Sequence, residues 1–128
     1  MKELIKKHEG FRGMPYEDSL GFPTIGYGTK LPITKEEAEL LLKHRLDIKI
    51  QEITNYEPFY LELPPKAQKV IANMAYQLGV GGVMKFKKMW EALKNEDYKT
   101  AADEMLNSKW ARQTPNRANE LSEIMRSI

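Results

Sequence analysis

Apolar residues recur at helical spacing along most of this sequence, and one segment near its start breaks that pattern. From Phe11 to Leu31, six residues are glycine or proline, and polar and apolar side chains roughly alternate. This alternation, with a turn signal at Leu20-Gly21, predicts a small β-hairpin. A two-stranded hairpin is weak alone. The pattern therefore predicts a mainly α-helical protein with one β patch that leans on helices.

Size and composition suit one ordinary compact domain. The chain has 128 residues, of which 41% are hydrophobic and 30% charged. The absence of cysteine excludes disulfides, thiolate metal sites and cysteine nucleophiles. A net charge of +2 is too balanced for a surface built mainly to bind nucleic acid. The only histidines, His8 and His44, are not a helix-spaced zinc-binding pair, so we expect no metal and no cofactor.

The sequence predicts neither membrane insertion nor a signal peptide. Its apolar runs fall far short of the roughly 20 residues that span a bilayer as a helix. The first residues are basic but lack the apolar centre and the small-residue cleavage site of a signal peptide. We therefore expect synthesis in the cytoplasm, with any export depending on another factor.

Capping residues, prolines and glycines predict where the helices begin and end. Thr34 and Glu37 form a capping box that opens a helix running to about Asn55. The most apolar helix opens at Pro65 and stops at the glycine cluster of 79–82, which predicts a turn. Further helices are predicted at about 2–9, 86–93, 98–106 and 115–125. In the helix that follows the capping box, the apolar residues form one stripe that includes Leu41, Leu42 and Ile53.

Three polar residues near the start could carry chemistry. Glu9 ends the first helix, where contact with apolar surface would favour the protonated form that a general acid needs. Asp18 lies in the hairpin and Thr24 on the returning strand, so strand pairing would bring the hydroxyl near the carboxylate. Such a pair can hold a water while a second carboxyl protonates a leaving oxygen, as in glycoside hydrolysis. Spacing alone favours plainer alternatives, a solvated helix-end glutamate and an ordinary aspartate turn.

Several segments of the chain follow one another in an informative order. They are Glu9-Gly10-Phe11-Arg12, Tyr16-Glu17-Asp18, Thr24-Ile25-Gly26-Tyr27-Gly28, Asn73-Met74-Ala75-Tyr76-Gln77-Leu78-Gly79 and Ser108-Lys109-Trp110-Ala111-Arg112-Gln113-Thr114-Pro115-Asn116-Arg117. Together with the spacing of Glu9, Asp18 and Thr24, these segments resemble the phage-type, T4-like lysozymes of glycoside hydrolase family 24. The resemblance extends from about 4 to about 121, which is nearly the whole chain.

The resemblance implies a predominantly α-helical α+β fold of the two-lobed lysozyme type. A minimal N-terminal β-hairpin lobe, about 11–33, would be joined by a central helix, about 66–78, to a C-terminal helical lobe. That helical lobe would comprise about 56–128 plus the N-terminal helix, and residues 1–128 would form a single lysozyme domain. The chain departs from the family at Thr29, where a histidine is common.

The resemblance also implies a function. The protein would be a lysozyme, a muramidase that cleaves the β-1,4 bond between N-acetylmuramic acid and N-acetylglucosamine in peptidoglycan. Glu9 would protonate the glycosidic oxygen, while Asp18 would activate a water on the opposite face of the sugar, with Thr24 helping to hold it. Family members of this kind invert the anomeric centre, which needs carboxyl groups about 6.5–9.5 Å apart.

Further residues resemble substrate-binding or supporting positions of the family: Tyr76, Gln77, Gln113, Asn116 and Arg117. Tyr76 could meet a sugar ring or belong to the core, and Gln77 could bond an acetamido group. Gln113 and Asn116 could contact sugar, although forming a turn is the favoured alternative. Arg117 would approach the acid, either tuning it or only fixing its rotamer. Trp110 is expected to be buried beneath the sugar-binding positions.

The alternative to an enzyme is a non-catalytic or weakly active cell-wall-binding module of the same fold, in a phage tail or toxin assembly. A pure binder has no chemical need for Glu9, Asp18 and Thr24 together, which favours the enzyme. The expected partner is the peptidoglycan glycan strand, with no nucleic acid, no stable membrane insertion and a monomeric chain. As a bacteriolytic, antimicrobial endolysin of a phage or prophage, it would be made in the host cytoplasm and reach the cell wall in the periplasm through a holin.

Overall fold

Helices make up 69% of the chain, and a small three-stranded antiparallel sheet lies near the N-terminus. The computed structural model describes residues 1–128. These findings confirm the predicted α+β class with predominant helix. The chain divides into two compact units, Met1–Leu42 and Lys43–Ile128. None of its helices has the length and apolar character needed to cross a membrane.

The first unit contains a helix followed by the sheet. Its elements are α1 (Lys2–Glu9), β1 (Arg12–Glu17), β2 (Pro23–Gly26) and β3 (Thr29–Lys30), with strand order β1-β2-β3. The predicted hairpin is present, and a third strand, β3, extends it. This strand was not predicted, because its two residues are too few to show alternation in the sequence. Thr24 is the only buried residue in this unit. Contacts within the chain assign α1 to this first unit. The lobe boundaries that we predicted from the sequence stay a prediction.

The second helix, α2 (Lys35–Tyr56), begins at the predicted capping box. The Thr34 backbone N–H donates to Glu37 Oε1 at 2.8 Å, and the Glu37 N–H donates to Thr34 Oγ1 at 3.2 Å. The boundary between the two units falls inside α2, so α2 is the helix that continues from one unit into the other. Placing this connection in the helix at 66–78 was wrong, because that helix lies entirely within the second unit.

The second unit is all helical and contains the hydrophobic core. After α2 come a 3₁₀ helix (Pro58–Glu62), α3 (Pro65–Leu78), α4 (Val80–Met84), α5 (Lys87–Lys94), α6 (Tyr98–Leu106), α7 (Lys109–Gln113) and α8 (Pro115–Arg126). α3 has the predicted bounds and six buried residues, and Gly79 ends it with φ 78°. The turn predicted at 79–82 is instead largely the short helix α4, which buries Val80 and Val83. The helix α7 was not predicted.

The capping box yields a direct test of α2. Thr34→Ala should lower the free energy of unfolding by about 1 kcal/mol, because the Glu37 N–H loses its acceptor at the helix start. Thr34→Ser keeps the hydroxyl and should keep most of the stability. Urea denaturation followed by circular dichroism measures both variants. Equal stability of the alanine variant and the original chain would contradict a role for this cap.

Candidate active site

Glu9 is the last residue of α1, and its carboxyl group lies directly over a glycine. A Cβ atom built on Gly28 would come within 2.5 Å of Glu9 Oε2 and 2.6 Å of its Cδ. Gly28 also has φ +73°, a conformation that favours glycine. Glu9 itself is exposed to solvent. The turn between β2 and β3 therefore leaves room for this acid while keeping one side of it open.

Asp18 lies in the turn between β1 and β2, where the backbone and a lysine hold it. Its Oδ1 accepts from the backbone N–H groups of Leu20 at 2.9 Å and Phe22 at 2.8 Å. Its Oδ2 accepts from Lys30 Nζ at 2.6 Å. The hydrogen bond from Lys30, followed by that from Phe22, lowers the pKa of Asp18 below its ordinary value. Asp18 is therefore a fixed and ionised carboxylate.

Thr24 is connected to Asp18 through the backbone of Phe22. The Thr24 hydroxyl donates to the Phe22 carbonyl at 2.8 Å, and no hydrogen bond joins it to the Asp18 carboxylate. The Asp18 backbone N–H donates to the same carbonyl at 2.9 Å. Thr24 pairs with Tyr16 across the sheet and is 1% exposed. The Thr24 hydroxyl and the Asp18 backbone N–H thus share the Phe22 carbonyl, and the Asp18 carboxylate is bonded separately by the Phe22 N–H.

Lys30 is a residue of this candidate site that the sequence pattern did not predict. It lies on β3 opposite Thr24, so its side chain reaches the Asp18 turn. Asp18 raises the pKa of Lys30 chiefly through their hydrogen bond, and the nearby Glu9 charge acts in the same direction. Lys30 thus bonds Asp18 and lies two residues after Gly28, over which the Glu9 carboxyl group lies. The Gly26-Tyr27-Gly28 turn was the available signal, because a strand folding back there places Lys30 opposite Thr24.

In the second unit, α3 carries three polar residues at helical spacing: Asn73, Tyr76 and Gln77. Arg117 of α8 donates to Asn73 Oδ1 from Nε at 2.9 Å and from Nη2 at 2.7 Å. The indole N–H of Trp110 donates to Gln77 Oε1 at 2.8 Å, and this tryptophan is 4% exposed. The structure therefore connects α3 to α7 and α8 through two side-chain pairs.

The other predicted binding residues lie at exposed positions. Tyr76 is 39% exposed, so it is not a core residue. Gln113 is the last residue of α7 and Asn116 lies in the first turn of α8, both on the surface. The predicted approach of Arg117 to Glu9 stays a prediction. No group of three or more histidine, aspartate or glutamate side chains is placed to hold a metal ion.

Comparison with known proteins identifies the family. The sequence model described as phage lysozyme matches residues 6–125. The chain belongs to the phage lysozyme family. This confirms the resemblance drawn from the sequence, and membership of the phage lysozyme family supports a peptidoglycan hydrolase, a glycosidase of the lysozyme class.

Individual relatives of this phage lysozyme family member differ in length. The probable T4-type lysozyme 1 of Dictyostelium discoideum is 27% identical, over 98% of this chain and 92% of that protein. The pre-baseplate central spike protein Gp5 of Enterobacteria phage T4 is 30% identical over 98% of this chain, which spans only 27% of the spike protein. The peptidoglycan hydrolase gp36 of Pseudomonas phage phiKMV is 27% identical over 91% of this chain and 14% of its own length.

Proposed function

We propose that this protein hydrolyses the β-1,4 bond between N-acetylmuramic acid and N-acetylglucosamine in peptidoglycan, with inversion at the anomeric carbon. The observation that carries the proposal is that one small unit holds two carboxyl groups in different surroundings: Glu9 lies over the glycine of the turn before β3, and Asp18 is bonded by Lys30 of β3. Lys30 donates to Asp18 Oδ2 at 2.6 Å, whereas Glu9 makes no hydrogen bond to a side chain and is exposed. Two carboxyl groups that differ in surroundings are what acid and base roles in glycoside hydrolysis require.

Glu9 is proposed as the general acid. Its carboxyl group makes no hydrogen bond to another side chain and stays open to solvent, so a glycosidic oxygen can approach it. Asp18 is proposed as the base, because its lowered pKa keeps it ionised and able to accept a proton. The Thr24 hydroxyl donates to Phe22, so its oxygen keeps lone pairs with which to accept a hydrogen bond from the attacking water.

The second unit offers groups suited to binding sugars. Tyr76 presents an exposed ring that could pack on a sugar face. The Gln77 carbonyl is used by Trp110, which leaves its amide NH₂ free to donate to an acetamido carbonyl. Gln113 and Asn116 have exposed amides, and Arg117 is fixed by Asn73. We propose these residues as substrate-binding or supporting groups.

The products of digestion test this proposal. Purified peptidoglycan would be digested, its new reducing ends reduced with borohydride, and the fragments identified by mass spectrometry. We expect reduced N-acetylmuramic acid, and proton NMR early in the reaction should show the α-anomer. Reduced N-acetylglucosamine, or anhydro ends made without water, would contradict the proposed bond and reaction. An initial β-anomer would contradict inversion.

The similarity to a phage spike protein is the observation behind a second candidate function, a wall-binding module with little activity. The retained acid, base and threonine favour the enzyme. Binding to peptidoglycan without release of fragments would favour the module instead. If it is an enzyme, we propose that the protein is a monomer that acts on the cell wall in the periplasm. As the endolysin of a phage or prophage, it would leave the host cytoplasm with the help of a holin.

A further inference from the structure

We propose that Lys30 is a positioning residue that leaves Asp18 a single acceptor position for the attacking water. This inference rests on the proposed function and adds a residue to it. A carboxylate offers about four lone-pair positions for hydrogen bonds. Two on Asp18 Oδ1 are filled by backbone N–H groups, and one on Oδ2 is filled by Lys30. The position left over is on Oδ2, beside the ammonium group of Lys30.

The position of Lys30 is itself well defined. The pairing of Thr24 with Lys30 sets where the side chain leaves β3. Its ammonium group lies 5.3 Å from the centroid of the Phe22 ring, a cation–π distance, and 2.6 Å from Asp18 Oδ2. Within the first unit, the titratable groups whose charges raise the pKa of Lys30 are Asp18, Glu9 and Tyr16. The ammonium group is therefore held by the Asp18 carboxylate that it orients and by the Phe22 ring, while the rest of it is open to solvent.

This geometry assigns a path to each proton in hydrolysis. The water oxygen, held by Asp18 Oδ2, forms a bond to the anomeric carbon as the bond from that carbon to the glycosidic oxygen breaks. The proton of Glu9 passes to the departing oxygen, and a proton of the water passes to Asp18 Oδ2. Lys30 stays protonated throughout and keeps Oδ2 turned in one direction. A water held in one place reacts faster than one shared among several positions.

The test uses two substitutions of Lys30 and one matched control. Lys30→Met removes the donor but keeps most of the apolar stem, whereas Lys30→Arg keeps a charged donor. Lys6→Met is the control, because Lys6 is a lysine of the same unit that pairs with Glu3 and does not bond Asp18. The kcat and KM for peptidoglycan hydrolysis are measured across pH, and circular dichroism monitors the fold.

We expect Lys30→Met to lower kcat by an amount on the order of tenfold to a hundredfold, with little change in KM. Without Lys30 the pKa of Asp18 rises toward its ordinary value, so the acid side of the pH profile moves to higher pH. Lys30→Arg should recover most of the loss, and Lys6→Met should resemble the original protein. An unchanged kcat and pH profile in Lys30→Met would overturn the proposal.

A second measurement separates this inference from the proposed function. Carboxyl carbon NMR follows the titration of Asp18 with no substrate present, and its pKa should rise in Lys30→Met but not in Lys6→Met. If the protein proves inactive while this shift is found, the proposed function fails and the Lys30–Asp18 coupling stands. If the protein is active and the Asp18 titration is the same in all variants, the inference fails and the proposed function stands.

Discussion

Glu9→Gln should reduce peptidoglycan hydrolysis by about 10²–10⁴-fold, the usual contribution of a general acid. Glutamine has nearly the shape of glutamate but cannot donate a proton to the glycosidic oxygen. Because Glu9 is exposed and forms no hydrogen bond with another side chain, the change should leave the fold intact. Release of reducing sugar measures turnover, and thermal unfolding measures stability.

The matched control for this change is Glu17→Gln. Glu17 is an exposed carboxylate at the end of β1, in the same unit and next in sequence to Asp18. Its replacement removes the same charge and should leave turnover close to that of the original protein. If Glu9→Gln and Glu17→Gln were equally active, Glu9 could not be the acid. If the original protein bound peptidoglycan but did not cleave it, the wall-binding alternative would gain support.

Gly28→Ala should impair both turnover and stability. The new methyl group would lie 2.5 Å from Glu9 Oε2, so the carboxyl group must move away from its position. Misplacing a reacting group by about 1 Å can cost on the order of a hundredfold in rate, which we expect for this variant. The positive φ of Gly28 adds a backbone strain of about 1–2 kcal/mol when a side chain is introduced.

Gly26→Ala separates these two effects. Gly26 has a similar φ of +71°, but a Cβ atom built there meets nothing within 4 Å. It should therefore lose a similar amount of stability while keeping Glu9 in place and turnover high. Turnover would be compared well below the unfolding midpoint of both variants. A loss of turnover in Gly26→Ala as large as in Gly28→Ala would contradict a steric role for Gly28 in placing the acid.

Local signals in the sequence were enough to predict much of the fold. Glycines and prolines at helix ends, and the capping box at Thr34, gave bounds for α1, α2, α3 and α6 that agree closely with the structure. The Leu20-Gly21 turn gave the first hairpin. These features depend on neighbouring residues, so a sequence pattern carries them. Strand β3 and helix α7 are too short to produce a periodic pattern, and both were missed.

The stripe along α2 shows where periodicity stops being informative. Leu41 and Leu42 were placed on an apolar stripe with Ile53, yet they are 48% and 47% exposed while Ile53 is buried. Helical spacing identifies a face that could be covered. It does not determine whether other parts of the chain cover it, because that depends on contacts distant in sequence.

The candidate site illustrates the same limit. Glu9, Asp18 and Thr24 were named from their spacing and from a family resemblance, but their connections were not. The Lys30–Asp18 pair depends on a strand that the sequence did not reveal. The Trp110–Gln77 hydrogen bond joins residues on α7 and α3, and no local pattern gives its geometry. Residue identity was predictable here, whereas the choice of partner followed from the fold.

Thr24 is the only buried residue among the first 42, and this affects how the first unit responds to added salt. The proposed acid and base lie in a unit that has no hydrophobic core of its own and is ordered by hydrogen bonds and the Lys30–Asp18 ion pair. Such order yields to dissolved salt sooner than the densely packed helices do. The proposed activity is therefore expected to be lost with added salt at concentrations where circular dichroism still shows native helix content.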